Sequence, residues 1–220
     1  PIYFSGGAYD DEDFLWMKNY LQLDGMTYKL VPIKTEIPKD ASPLEMGRID
    51  TDKMYANVMK WDWGNSESLS IYHDPETRKN SITYRSYLSR LMNQLILEGK
   101  KEKAKNIITL AMNKMPLEQF GYYSLLEPFA KGYYDLGENA KAQDLLSKLI
   151  LKYKENLKYY SSLTPSDQTS LAIDIITDIE RYRSLLLVMK ESGDVTFYNK
   201  NKAQFNTYVS IFERFGREKE

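Results

Sequence analysis

Tyr84-Arg85-Ser86-Tyr87-Leu88-Ser89-Arg90-Leu91-Met92-Asn93-Gln94-Leu95-Ile96 decides the fold, because its apolar register returns 38 residues later, Tyr84 recurring as Tyr122. Tyr87, Leu88, Leu91, Met92, Leu95 and Ile96 correspond to Leu125, Leu126, Phe129, Ala130, Tyr133 and Tyr134. Steps of three and four residues put each set on one helical face. A glycine follows each copy, Gly99 and Gly137, and a second amphipathic segment follows the glycine. There Ala104, Ile107, Ile108, Ala111 and Met112 correspond to Ala142, Leu145, Leu146, Leu149 and Ile150. The spacing predicts two helix–turn–helix hairpins, about 83–98 with 101–115 and 120–136 with 139–154. Repeated units of this kind bury their apolar faces on one another.

C-terminal to the repeat, Thr164-Pro165-Ser166-Asp167 carries two helix-start signals, a proline at the first helical position and a T-x-x-D capping box. The stripe Leu171, Ile175, Ile179, Tyr182, Leu186 and Met189 follows on one face, Gly193 closes it, and a last helix uses Phe197, Phe205, Tyr208, Val209, Phe212 and Phe215. This third pair does not align with the other two, as expected of a terminal unit that presents a polar outer face. Residues 1–80 read differently. Ile2-Tyr3-Phe4 is strand-like, and Gly6-Gly7 breaks it. Asp10, Asp11, Glu12 and Asp13 precede Phe14, Leu15, Trp16, Met17, Tyr20 and Leu21 at near-helical spacing. Asp24-Gly25 signals a turn, Tyr28 to Ile33 is strand-like, and Pro32 suggests a strand end. Pro38 and Pro43 mark a long loop over 34–50. Asp50 or Thr51 then caps a short helix through Met54, Tyr55, Val58 and Met59, which Trp61-Asp62-Trp63-Gly64-Asn65 ends. The expected architecture is mainly α: a helical hairpin array over 81–220 with a small mixed α+β region over 1–80.

Composition excludes several function classes. Thirty Lys and Arg against 31 Asp and Glu leave no electrostatic drive toward nucleic acid. The absence of cysteine removes disulfides, thiolate metal sites and cysteine nucleophiles. A single histidine, His73, cannot furnish a His-rich metal site. No cofactor is expected. The longest unbroken apolar run, Leu185 to Met189, is too short to span a bilayer. Pro1, opening on an apolar run, predicts an excised piece of a longer protein whose targeting or membrane segments lie upstream.

The aligned hairpins resemble tetratricopeptide repeats. Ala104, Ile108, Ala111 and Pro116 match that pattern in the first copy, and Tyr133, Gly137, Ala142 and Leu146 in the second. Two departures are the longer offset and Met92 at a position where a small residue is usual. A second resemblance covers the whole chain. Pro1-Ile2-Tyr3-Phe4, Tyr20 to Ile33, Asp74 to Arg78, Arg85 and Gly99 to Ala104 look like the C-terminal region of a family of large multi-pass membrane proteins. The family is common in Bacteroidetes-type bacteria and filed as a domain of unknown function. Its membrane part is similar to protein O-mannosyltransferases. The resemblance implies a soluble, extracytoplasmic (periplasmic) tail of a glycosyltransferase-like membrane protein. It also implies that the catalytic residues lie in the membrane part and none here.

The tetratricopeptide resemblance places the first helices on a concave face. By register that face holds Ser89, Asn93 and Leu97, then Glu127, Lys131 and Asp135, with Tyr134 at the rim. Asn93, Lys131, Tyr134 and Asp135 are therefore the candidate binding residues for a protein or peptide partner, either an acceptor protein or the parent's own membrane domain. The competing reading is a groove filled by the third hairpin. Trp61 and Trp63 bracket Asp62, a pattern able to stack a sugar ring and accept from its hydroxyls, although tryptophans also fill cores. Three other motifs have simpler readings. Asp10 to Asp13 lacks calcium-loop spacing and reads as helix-start acids. His73-Asp74 reads as a turn before Pro75 and not as a base with its orienting acid. Gly6-Gly7 lacks the pattern of a phosphate loop. The expected function is a non-catalytic interaction or scaffold module. The alternative is a carbohydrate-binding or catalytic accessory domain that uses the N-terminal carboxylates and tryptophans.

Overall fold

The computed structural model describes residues 1–5, 17–36 and 45–215. Gly6-Gly7, the acidic run Asp10 to Asp13 with Phe14, Leu15 and Trp16, and the loop prolines Pro38 and Pro43 lie outside the described residues. The protein is mainly helical, with one small sheet near its N-terminus. It forms two compact units, Pro1–Leu125 and Leu126–Glu220. Residue 80, the expected boundary, falls inside a long helix of the first unit.

The first unit opens with strands β1 (Tyr3–Ser5), β2 (Leu21–Asp24), β3 (Thr27–Leu30) and β4 (Arg48–Ile49), in sheet order β1-β3-β2-β4. β2 and β3 pair antiparallel around the Asp24-Gly25 turn, where Gly25 adopts φ +83°, a conformation that suits glycine at a tight hairpin turn. β4 adds parallel to β2. Leu21 thus belongs to a strand and not to the end of the helical run in which its spacing placed it. Its backbone sits in a segment paired on both sides, and that pairing overrides a weak helical spacing. Only Lys18–Tyr20 keeps a helical turn there, of 3-10 type.

Helix α1 (Thr51–Val58) begins as expected, with Asp50 accepting from the Lys53 amide at 3.2 Å, and buries Met54 and Val58. Helix α2 spans Pro75–Leu97 and starts eight residues before the expected 83. The reason is chemical. Asp74 accepts from the amides of Glu76 and Thr77, each at 2.9 Å, and Pro75 occupies the first turn, where no amide donor is needed. Helix α3 (Lys101–Lys114) packs back on α2 as the predicted hairpin, with Leu88, Leu91, Met92, Leu95, Ala104, Ile107, Ile108 and Ala111 buried between them and their neighbours. Tyr28 of β3 meets Tyr87 of α2 edge to face at 5.9 Å, and Arg90 donates to the Gly47 carbonyl at 2.7 Å, joining sheet to helix. A short helix, α4 (Leu117–Phe120), follows α3.

Arg85 is fully enclosed within this unit. Its guanidinium donates to the Met115 carbonyl at 2.9 Å and to the Gly121 carbonyl. Burial lowers its pKa to about 10, so it remains charged at neutral pH.

In the second unit, α5 (Glu127–Asp135) pairs with α6 (Asn139–Ser161) as a hairpin; α5 starts seven residues after the expected 120 and α6 runs seven beyond the expected 154. The short α7 (Pro165–Ser170) starts at the predicted cap, Thr164 accepting from the Asp167 amide at 3.3 Å. Helices α8 (Ala172–Glu191) and α9 (Val195–Ile211) complete the unit, and α8 packs on both α5 and α6. The α8 stripe buries Ile175, Ile179, Tyr182, Leu186 and Met189, as read from its spacing.

Two predictions follow from buried polar groups. Arg85→Leu leaves interior carbonyls unpaired and is expected to cost about 3 kcal/mol in urea denaturation. A loss below about 1 kcal/mol would show that these carbonyls find other donors. Burial raises the pKa of Glu127, whose carboxylate accepts from the Ser184 hydroxyl. A raised carboxyl pKa means stability is greatest below the unfolded-state value and declines as pH rises through the folded one. Glu127→Gln keeps an acceptor without the charge, so it should raise the melting temperature at pH 7 and lose that advantage at pH 4.

Candidate functional site

Two mismatches of length create the site, which lies wholly within the first unit. Helix α2 has 23 residues and its hairpin partner α3 has 14, so the N-terminal turns of α2 extend beyond α3. The connection over 59–74 is long for a helix–helix link. Side chains fasten this loop to the end of α3 and to α4. Ser66 Oγ donates to the Lys114 carbonyl at 2.6 Å, and Gln119 Nε2 donates to the Ser68 carbonyl at 2.9 Å. Lys114 pairs with Glu67. His73 Nε2 bonds the Ser66 carbonyl at 2.8 Å, and its ring stacks on Phe120 at 4.5 Å.

Between loop and overhang lies a half-open cleft of about 420 Å³. Its dominant feature is a cluster of three rings. Trp61 and Trp63 are 5.6 Å apart, and each lies 5.5 Å from Tyr84 of α2. Trp61 is backed by the hairpin turn, since a Cβ at Gly25 would stand 3.3 Å from its ring. Met115 and Phe120 contribute apolar surface, and Met26 reaches the cleft from the turn. Among the described residues the polar side chains of the lining are Asp62, Ser66, His73, Thr77, Asn80 and Ser81, with the phenol of Tyr84. The Trp63 indole N–H is buried and has no hydrogen-bond acceptor among the described residues.

Trp61 and Trp63 are thus brought together, as the sequence pattern suggested, and Asp62 lies exposed between them with Oδ1 accepting from the Gly64 amide at 2.9 Å. The repeat register gives Tyr84 only a core position. It lines the cleft because α2 outruns α3, and the Asp74-Pro75 cap was the available signal. His73 and Phe120 carried no signal beyond their residue types. His73 and Asp74 do not form a base with its orienting acid, since the Asp74 carboxylate caps α2.

The four residues assigned to the concave face have other partners or other units. Asn93 is exposed on α2 of the first unit. Lys131, Tyr134 and Asp135 belong to the second. There Lys131 pairs with Asp135 at 2.6 Å along one helix face. Tyr134 is 9% exposed and donates to Asp194 at 2.8 Å, an interaction that raises its pKa further above that caused by burial. Asp194 also accepts from Gln143 at 2.7 Å and caps α9. Glu127, on the same predicted face, is engaged by Ser184 of α8. Within the second unit, therefore, α8 and the start of α9 occupy that face at Glu127 and Tyr134.

Residues 1–53 match the family model described as TMEM260-associated domain 2. No curated protein and no solved structure matches the chain. The matched stretch carries the sheet and the first residues of α1, including the Gly25 turn against which Trp61 rests. Among the described residues no helix is long and apolar enough to cross a membrane, and no cluster of His, Asp and Glu is arranged to hold a metal ion.

Gly25→Ala tests the coupling of sheet and cleft. The φ of +83° and the approach of Trp61 both oppose a Cβ, so a loss of about 1–2 kcal/mol is expected, together with a shift in tryptophan emission. Unchanged emission would separate Trp61 from the turn.

Proposed function

We propose that this chain is a non-catalytic binding module whose ligand site is the Trp61–Trp63–Tyr84 cleft. We further propose that it is the extracytoplasmic tail of a glycosyltransferase-like membrane protein, where it holds an acceptor or partner near the parent's active site. The observation that carries the binding reading is how the cleft spends its polar groups. Ser66 and Ser81 donate to backbone carbonyls, Thr77 donates to Asp74, and His73 bonds a backbone carbonyl. A hydroxyl nucleophile needs a base to take its proton, and these protons are committed to the framework. What remains for a ligand is a rigid aromatic surface with a few free polar atoms, the usual make-up of a small-molecule site. The description of the matched family as an associated domain fits an accessory module. The membrane context rests on the resemblance of the tail residues.

The site assignment is tested by indole ¹H–¹⁵N spectra of the full chain against a library of small neutral fragments. Bound fragments should shift the Trp61 and Trp63 indole signals. Binding should be lost in Tyr84→Leu and retained in Asn93→Ala with Lys131→Ala. Hits that leave both indoles unmoved, or that vanish in the Asn93 and Lys131 variant, would overturn the cleft as the site.

A further inference from the structure

We infer that the cleft takes an uncharged pyranose sugar, stacked by its C–H face on the aromatic cluster. The inference rests on the binding-module reading above and adds the chemistry of the ligand.

Ring geometry excludes one common occupant of aromatic sites. A quaternary ammonium cage needs rings spread around the cation. Here the three centroids stand 5.5–5.6 Å apart, in direct contact, so no group fits between them. The cluster acts as a platform on which a flat, weakly polar face can lie. Charge excludes another class. Among the described residues the lining contains no lysine or arginine, and its one carboxylate is Asp62. A phosphate or carboxylate ligand would meet repulsion from Asp62 and find no cationic partner. Nucleotides and sugar phosphates are disfavoured on that ground.

The remaining polar atoms ask for a ligand that both donates and accepts. The Trp63 N–H is enclosed, so the polar atoms open to a ligand are those of Asp62 and Asn80. Asp62 is acceptor-only and exposed, with Oδ1 taken by the Gly64 amide. Asn80, exposed on α2, offers one acceptor and two donors. Sugar hydroxyls satisfy both, because each can donate and accept. A proline-rich peptide also stacks on Trp and Tyr, but its prolines lack N–H donors and leave Asp62 unanswered. The volume of about 420 Å³ suits one or two sugar rings and lies at the small end of ligand pockets.

The test titrates the full chain, by tryptophan fluorescence and indole spectra, with methyl pyranosides of the gluco, galacto and manno series and with cellobiose. Glucuronic acid, glucose 6-phosphate and a proline-rich decapeptide serve as comparisons. At least one neutral sugar should bind saturably and move the Trp61 and Trp63 signals, with the anionic sugars at least about tenfold weaker. Asp62→Asn keeps the Gly64 contact and should bring the anionic sugars to within a few-fold of the neutral ones. Asn80→Ala leaves the rings in place but removes a polar partner and should weaken sugar binding about fivefold, the worth of one hydrogen bond. Thermal melts of both variants establish that they fold. If fragments shift the indoles but no neutral sugar does, or the peptide alone does, the sugar inference falls and the cleft remains a binding site. Anionic sugars binding as tightly as neutral ones would overturn the uncharged class. Silence from fragments and sugars alike would remove both readings.

Discussion

A guanidinium enclosed without a carboxylate must take its solvation from the backbone, and Arg85 does so from the end of α3. Helix ends expose carbonyls that their own helix cannot satisfy, and these carry the negative end of the dipole. Arg85 meets the Met115 carbonyl there and reaches the Gly121 carbonyl across the following bend. That bend contains two consecutive residues at positive φ, Gly121 at 64° and Tyr122 at 48°. A non-glycine residue in this region costs about 1–3 kcal/mol and persists only where its surroundings impose it. Arg85 contacts both carbonyls of this bend. Pro116 ends α3, and the Arg85 contacts tie that end to the bend after α4, on either side of which Met115 and Phe120 stand. Both residues line the cleft. Its apolar floor is therefore held from behind by a buried charge.

The opposite wall depends on backbone satisfaction in the 59–74 loop. A loop of this length normally runs over the surface with its amides and carbonyls in water. Here the Ser66 and Ser68 carbonyls accept from His73 and Gln119, while the Ser66 hydroxyl answers a carbonyl at the end of α3. Each bond is worth only about 1 kcal/mol. Together they fasten the loop at several points along its length. The tryptophans it carries are then presented in fixed places instead of on a lid.

These arrangements explain what was legible in the sequence. The α2–α3 and α5–α6 hairpins and the α8 stripe were legible because one-sided burial writes a period of three to four residues. The caps at Asp50 and Thr164 were legible because few side chains can serve an orphan amide. The start of α2 was missed because Asp74-Pro75 can read as a turn or a cap, and only the amides behind it decide. Trp61 and Trp63 could be named from residue type and spacing. Tyr84, His73 and Phe120 could not, because the cleft gathers segments that lie far apart in the chain. The same limit applies to Tyr134 and Glu127. Register puts Glu127 on the concave face and Tyr134 at its rim and leaves open whether the third hairpin fills that face; nothing in α5 itself names Ser184 and Asp194 as the partners.

The aromatic cluster also settles an apparent conflict between packing and binding. Rings in mutual contact are usually structural, and these three do join the hairpin turn, the loop and α2. That role leaves outer surfaces facing the cleft and removes most of the rotamer freedom a ligand would otherwise have to freeze. Trp61 is held by a glycine turn in the sheet, Trp63 by the loop, and Tyr84 by a helix overhang. The segment that matches the associated-domain family supplies Gly25 and Met26 but none of the three rings. It acts as a backrest for Trp61, so a change in the sheet reaches the cleft through one close contact, that of Gly25 with the indole. Aromatic platform and matched domain are in this way parts of one device, although they occupy successive stretches of the chain.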